Sequence, residues 1–162
     1  AEEFAALDVP FERRGARTDD YIRLMQAVWQ SDVSSYEGEF YTLPECWQYP
    51  KPVQKPHPPL YFGGESKPAL RRVARFGHWY GLDVLPEQVP DKLEQLKAFC
   101  DAEERAIEDV QIAVGPYAHP CDRDMLKRYE DAGVDQVVMA AFVPGQDAME
   151  REIDSIAERL IG

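Results

Sequence analysis

Cysteine and histidine are both scarce in this 162-residue chain, and their spacing excludes several kinds of site. The three cysteines, Cys46, Cys100 and Cys121, are odd in number and form no Cys-x-x-Cys pair. This pattern argues against a disulfide framework or a zinc site and favours a reducing cytoplasm. The three histidines are isolated and no Gly-x-Ser-x-Gly segment is present. We therefore expect neither a metal site nor a hydrolase triad.

Basic residues and long apolar runs are also few. Eighteen lysines and arginines stand against 30 acidic residues, which gives a formal net charge of -12 at pH 7. Because this charge repels phosphate backbones and anionic lipid, we expect no nucleic-acid partner and no membrane partner. Apolar runs such as 137–143 are far shorter than the roughly 20 residues that span a bilayer. The start, Ala-Glu-Glu-Phe, lacks an initiator Met and the features of a signal peptide, which we interpret as a processed or truncated start of a cytoplasmic protein.

What is present is the composition of one globular domain over residues 1–162, with 44% hydrophobic and 30% charged residues. After residue 59, short apolar segments alternate with helical patterns. The predicted strands are 60–62, 79–82, 110–115 and 134–142, and the predicted helices follow at 66–77, 90–107, 122–133 and 153–160. About four strand–helix units in a row predict an α/β fold with a parallel sheet and flanking helices. The sheet could be an open doubly wound sheet or part of a barrel.

The first third of the chain follows a different pattern. A helical turn is predicted at 1–7, and a longer helix at 18–30 with Thr18 as its N-cap. Arg13, Arg14 and Arg17 then fall in the connecting loop. Residues 31–59 hold six closely spaced prolines after residue 43, which predicts a Pro-rich excursion. Its apolar residues Trp47, Tyr49 and Val53 are expected to anchor it on the body of the protein.

The most informative local segment is Gly63-Gly64-Glu65-Ser66, which directly follows the first predicted strand of the second part. In both kinds of parallel sheet, ligands bind at the carboxyl ends of the strands. Two glycines allow close backbone approach, and Ser66 opens a helix whose free N–H groups can hold a phosphate. The alternative is that the glycines only form the turn and Ser66 only caps the helix. No P-loop or Rossmann pattern is present.

Other polar residues near the strand ends also allow a functional and a structural interpretation. Tyr117 and His119 follow the third predicted strand and are either ligand-facing or structural. His78 starts the second strand, at the end opposite to ligands, which favours a packing role. The arginines of the 66–77 helix are predicted to form a solvated face.

Seven segments, taken in order and spacing, resemble the second half of the luciferase-like flavin or deazaflavin (coenzyme F420) oxidoreductases. They are EFAAL at 3–7, FERRGAR at 11–17, YIRLM at 21–25, YEGEFY at 36–41, PKPVQKPHPP at 50–59, LYFGGES at 60–66 and ALRRVA at 69–74. The resemblance implies the second half of a TIM-type (β/α)₈ barrel, units five to eight. It also implies that Gly63, Gly64, Glu65 and Ser66 meet the phosphate of FMN or coenzyme F420.

The same resemblance leaves the catalytic residues unknown, because in the deazaflavin branch of the family they come largely from the first half of the barrel. Two functional hypotheses therefore remain open. One is a fragment of an oxidoreductase or monooxygenase that transfers hydride or oxygen to a small organic substrate. The other is a non-catalytic flavin-binding or structural half-barrel. A half-barrel leaves open sheet edges and an inner face, expected to include Tyr61, Val114 and Val138, so we expect a homo-oligomer or a complementary half-barrel chain.

Overall fold

The computed structural model describes residues 2–162, which form two compact units. The first unit ends at Pro59, and the second runs from Leu60 to Gly162. The expectation of a single domain over 1–162 stays a prediction. Within residues 2–162, every helix is too short or too polar to cross a membrane.

The first unit consists of two helices followed by an antiparallel pair of strands. The elements are α1 (Glu2–Ala6), α2 (Arg14–Gln30), β1 (Val33–Glu37) and β2 (Thr42–Trp47). The predicted turn at 1–7 is confirmed for Glu2–Ala6, and residue 1 lies outside the described residues. The turn between the strands includes Gly38, whose N–H donates to the carbonyl of Tyr41 at 2.9 Å.

Helix α2 begins four residues before the predicted start, so the assignment of Thr18 as the N-cap was wrong. Arg13, in the left-handed region at φ 56°, precedes the helix. The hydroxyl of Thr18 donates to the carbonyl of Arg14 at 2.8 Å, which is a contact inside the helix. Arg14 and Arg17 are consequently helical and one turn apart, and the prediction that they lie in a loop was also wrong.

The Pro-rich segment after β2 is attached by polar contacts. The expected apolar anchors Trp47, Tyr49 and Val53 are 64%, 61% and 93% exposed, so that prediction was wrong. Instead, the Nζ of Lys51 donates to the carbonyl of Val28 near the end of α2, at 2.7 Å. His57 lies 3.1 Å from the amide nitrogen of Gln26, farther along the same segment. These contacts could not be predicted from apolar periodicity.

The second unit is a four-stranded parallel sheet with helices, as predicted. Its elements are β3 (Tyr61–Gly63), α3 (Lys67–Phe76), β4 (His78–Leu82), α4 (Val89–Ala102), β5 (Ile112–Gly115), α5 (Arg123–Asp131), β6 (Gln136–Val137) and α6 (Gln146–Leu160). Strands follow one another in the order β3-β4-β5-β6, and each neighbouring pair is parallel. The strand predicted at 134–142 is reduced to two residues, because β6 is at the edge and, within residues 2–162, pairs with β5 alone.

The core lies between one face of this sheet and helices α3 to α5. It contains the fully buried Leu70, Trp79, Leu96 and Tyr129. Alternate residues of a strand point to opposite faces, and Val114 belongs to the helix-covered face with no exposed surface. The expectation that Val114 lines the open face was therefore wrong. The other face of the sheet carries the residues that alternate with core residues along the strands, namely Tyr61, His78 and Tyr80.

Candidate functional site

The turn after β3 has a backbone conformation that requires glycine at one position. Gly64 adopts φ +100°, which L side chains rarely allow. Its carbonyl accepts the indole N–H of Trp79 at 3.2 Å, and Trp79 is fully buried. A trans peptide places the carbonyl and the following N–H on opposite sides. The N–H of Glu65 therefore points away from the indole.

Helix α3 begins directly after this turn and presents unused donors. The Oγ of Ser66 accepts the N–H of Ala69 at 3.4 Å, which confirms the predicted cap and leaves the hydroxyl hydrogen available. In the described part of the chain, the N–H groups of Glu65, Ser66 and Lys67 meet no acceptor. Three backbone donors and one hydroxyl without a partner thus lie at the start of α3, where the helix N-terminus favours an anion.

The carboxylate of Glu65 is engaged by the neighbouring strand. Its Oε1 accepts the N–H of Leu82 at 3.2 Å, which links the carboxyl ends of β3 and β4. The four predicted residues, Gly63 to Ser66, therefore lie together at the end of β3. Their binding of a cofactor stays a prediction.

A pair of tyrosines lies at the next two strand ends. The hydroxyls of Tyr80 in β4 and Tyr117 after β5 are hydrogen-bonded to each other. Burial, reinforced by this hydrogen bond, raises the pKa of Tyr80 to about 12, so its phenol is neutral at physiological pH. A side chain at Gly115 would collide with both phenols. Sequence reasoning missed Tyr80, although its place next to the inward-facing Trp79 in a strand points it to the open face.

A cleft of about 190 Å³ follows the carboxyl ends of β5 and β6. Tyr117 and His119 line it, together with Cys121 and Arg159. Tyr117 and His119, for which the sequence leaves both a ligand-facing and a structural role open, thus border an opening at the expected end of the sheet. Burial raises the pKa of the Cys121 thiol, which disfavours the reactive thiolate.

The remaining candidates lie elsewhere. Nδ1 of His78 accepts the N–H of Gln111 at 3.0 Å at the amino end of the sheet, and burial lowers the pKa of this histidine. Arg71 lies over the ring of Phe99 at 4.9 Å. Residues 2–162 contain no group of three or more histidine, cysteine or acidic side chains that could hold a metal ion.

Comparison with known proteins gives matches over nearly the whole chain. The model of a family described as luciferase-like monooxygenase matches residues 1–154. The chain is 35% identical over 81 residues to the FMNH(2)-dependent dimethylsulfone monooxygenase of Pseudomonas putida, covering 48% of this chain and 22% of that protein. It is 29% identical over 145 residues to an uncharacterized protein of Mycobacterium tuberculosis strain H37Rv, covering 88% of this chain and 48% of that protein. The chain thus spans less than half the length of these relatives.

A solved structure extends the likeness to the fold. The coenzyme F420 dependent tetrahydromethanopterin reductase from Methanopyrus kandleri superposes with a TM-score of 0.74 at 11% identity. The superposition covers 98% of this chain and 70% of the reductase chain. The α/β fold with its parallel sheet is therefore shared with this enzyme.

Proposed function

Because the chain belongs to the luciferase-like monooxygenase family, we propose that it is the cofactor-phosphate-binding part of an oxidoreductase that acts on a small organic substrate. The cofactor would be FMN or coenzyme F420, and in its reduced form it would supply the hydride or the oxygen-activating electrons. The protein's task in such chemistry is to bind, orient and exclude water. The relatives whose names include these cofactors are longer than this chain, so the activity belongs to a longer protein in this proposal.

The observation that carries this proposal is the set of unused donors at the start of α3. The N–H groups of Glu65, Ser66 and Lys67 and the Ser66 hydroxyl suit a phosphate. Gly64 provides the backbone conformation of the turn. The indole N–H of Trp79, which donates to the Gly64 carbonyl, orients the Gly64–Glu65 peptide. The Glu65 carboxylate, which already accepts the Leu82 N–H, positions the turn, and we assign the phosphate contact to the backbone of Glu65.

Replacing the serine tests this proposal. Ser66→Ala should weaken the binding of FMN or F420 about tenfold or more, because a hydrogen bond to a charged group contributes roughly 1.5–3 kcal/mol. The loss of the helix cap should also lower the free energy of unfolding by about 1 kcal/mol. Titration of both cofactors against the two proteins, followed by fluorescence, measures the affinities.

A matched control separates the two effects. Asp135 accepts a backbone donor at the opposite, amino end of the same sheet, with its Oδ2 accepting the N–H of Ile112 at 2.7 Å. Asp135→Ala should also lower the free energy of unfolding, by about 1 kcal/mol, and leave cofactor affinity unchanged. Equal affinities in wild-type protein and Ser66→Ala would contradict the cradle and favour a purely structural role. Failure of the wild-type chain to bind either cofactor would favour a structural half-barrel.

We further propose that the sheet is the second half of a TIM-type barrel and is completed by another chain segment. The edges β3 and β6 each have one strand partner among the described residues, and the open face carries the partly exposed Tyr61. Open edges and exposed apolar surface favour association. Light scattering at low micromolar concentration should give about twice 18.5 kDa for a homodimer, with concentration-dependent melting. A monodisperse species of the single-chain mass would contradict pairing.

A further inference from the structure

A second cleft, which the proposed function does not use, lies within the first unit. Its volume is about 160 Å³. Charged and aromatic side chains dominate its lining: Phe4, Arg14, Arg17, Tyr21 and Tyr41. The cleft therefore combines cationic groups with ring faces in one small opening.

The two arginines of this cleft are not neutralised by carboxylates. Arg14 and Arg17 are three residues apart on α2 and form no ion pair within residues 2–162. Their guanidinium groups lie over aromatic rings, at 4.3 Å from the Phe11 centroid and 4.5 Å from the Phe40 centroid. Arg13, which does not line the cleft, differs because its Nη1 pairs with a carboxylate oxygen of Glu39 at 2.6 Å.

One of these arginines also has an unsatisfied donor. In the part of the chain that the structure describes, Nε of Arg17 is the buried side-chain polar atom that lacks a hydrogen-bond partner. Buried donors are nearly always satisfied. Asp20, the buried carboxylate of this unit, already accepts from Tyr36, Phe40 and Tyr41 and does not line the cleft. Among the described residues, the Nε donor of Arg17 is therefore left without an acceptor.

The apolar wall and the size of the cleft define the rest of the ligand. The rings of Tyr21 and Tyr41 meet edge to face with centroids 5.3 Å apart, and Tyr21 is half exposed. A cavity of about 150 Å³ is known to accommodate a benzene molecule. The volume of this cleft thus suits one aromatic ring with a small substituent.

We propose that this cleft binds a small aromatic carboxylate. The ring packs against Tyr21 and Tyr41, and the carboxylate meets the guanidinium groups of Arg14 and Arg17. The planar arginine fork matches the two oxygens of a carboxylate. Because the chain carries a net charge of -12, the binding of an anion depends on these local cations. The cradle at α3 belongs to the other unit, so this proposal stands independently of the proposed function.

Calorimetric titration of the full chain with three probes tests the proposal without any variant. Benzoate supplies both ring and charge, benzamide keeps the ring without the charge, and inorganic phosphate keeps charge without the ring. Benzoate should bind at least about tenfold more tightly than either of the others. The proposal is overturned if benzoate does not bind. It is also overturned if benzoate binds no more tightly than benzamide or no more tightly than phosphate.

Variants locate the binding. Arg14→Gln and Arg17→Gln should each weaken benzoate binding by about tenfold or more. Arg13→Gln is the matched control and should leave benzoate affinity within about twofold, because Arg13 lies outside the cleft. Circular dichroism confirms that each variant is folded, and the more exposed Arg14 provides the variant that disturbs packing less than Arg17→Gln does. An equal loss in Arg13→Gln and Arg17→Gln would overturn the assignment to this cleft.

Discussion

The two compact units of this molecule are stabilised by different kinds of interaction. In the first unit, the buried residues between 2 and 59 are Asp20, Ile22 and Ser34, two of which are polar. In the second unit, the buried cluster holds 13 apolar residues between the sheet and its helices. Burial of apolar surface is additive and non-directional, whereas a buried carboxylate depends on a few precisely placed donors. The stability of the second unit should thus fall with the apolar area that a substitution removes, whereas the first unit should depend on the few donors around its buried carboxylate.

Asp20 is the centre of the first unit. Its carboxylate accepts the Tyr36 hydroxyl at 2.5 Å and the N–H groups of Phe40 and Tyr41 at 2.8 and 3.1 Å. Burial alone would raise the pKa of Asp20, but these hydrogen bonds outweigh it and bring the pKa below the ordinary value of 3.8. A side chain at Gly38 would collide with the carboxylate, so the turn between β1 and β2 is built around it.

The largest effect is expected in the apolar core. Trp79→Ala removes a fully buried indole and its bond to the Gly64 carbonyl, and should lower the free energy of unfolding by about 3–5 kcal/mol. Trp47→Ala is the control, since Trp47 is 64% exposed, and should change it by less than about 0.5 kcal/mol. Urea denaturation followed by circular dichroism measures both. Similar losses in the two variants would contradict the assignment of the core.

The next effect tests the polar centre of the first unit. Asp20→Asn turns an amide toward the donors of Tyr36, Phe40 and Tyr41 and should cost about 1.5–3 kcal/mol. Hydrogen exchange should show that only backbone amides before residue 60 lose protection. The exposed Asp32→Asn is the control and should show no such loss. Loss of protection throughout both units would remove the contrast between them.

The same carboxylate predicts a dependence on pH. A group whose pKa is lower in the folded state stabilises the fold above its unfolded pKa, here near 3.8. That contribution disappears as the pH falls through the lower folded value. Wild-type protein should therefore lose stability on acidification below about pH 4, and Asp20→Asn should flatten this part of the profile. Parallel profiles for the two proteins would show that Asp20 does not contribute.

A smaller effect is expected at the turn before α3, where two adjacent glycines differ. Gly64→Ala forces a side chain into φ +100° and to 3.3 Å from the Ala69 methyl, and should cost about 1–2 kcal/mol. Gly63→Ala should cost less, because its nearest neighbour would be the Tyr80 carbonyl at 4.0 Å. Thermal melting of the two variants makes the comparison. Equal destabilisation would mean that the conformation of Gly64 is not the constraint.

The smallest effect is expected in the Pro-rich segment. Lys51→Ala removes the 2.7 Å bond to the Val28 carbonyl and should cost about 1 kcal/mol. It should also speed proteolytic cleavage between residues 48 and 59. Lys55→Ala, at an exposed position of the same segment, is the control. Unchanged cleavage in Lys51→Ala would show that other contacts order the segment.

Much of the second unit could be predicted because its signals are local. Ser66 is predicted as a helix cap and Asp122 as the first residue of a helix, and both side chains accept N–H groups three residues later. Gly77 ends α3 as predicted. The overestimate of β6 has a simple cause: the apolar run 137–143 is consistent with a strand, but a strand also needs partners, and in the described part of the chain β6 pairs with β5 alone.

The first unit could be predicted less well because its contacts join residues far apart in sequence. Nothing local marks Asp20 as buried beside Tyr36, or Lys51 as a donor to Val28. Thr18 is a common N-cap residue, but the left-handed Arg13 started the helix earlier. Trp47 and Tyr49 are exposed in the structure, but the sequence alone does not distinguish exposed aromatic residues from those that anchor a segment by burial.

In the second unit, the sequence by itself determined the order of strands and helices, the parallel sheet, the cap at Ser66 and the glycine turn before it, because the signal for each lies within a few neighbouring residues. Only the tertiary structure decided which face Val114 takes, how Asp20 is satisfied and that Tyr80 meets Tyr117. The physical reason is that periodicity specifies which residues prefer burial, whereas hydrogen-bond partners across 16 or more residues are set only when the chain has folded.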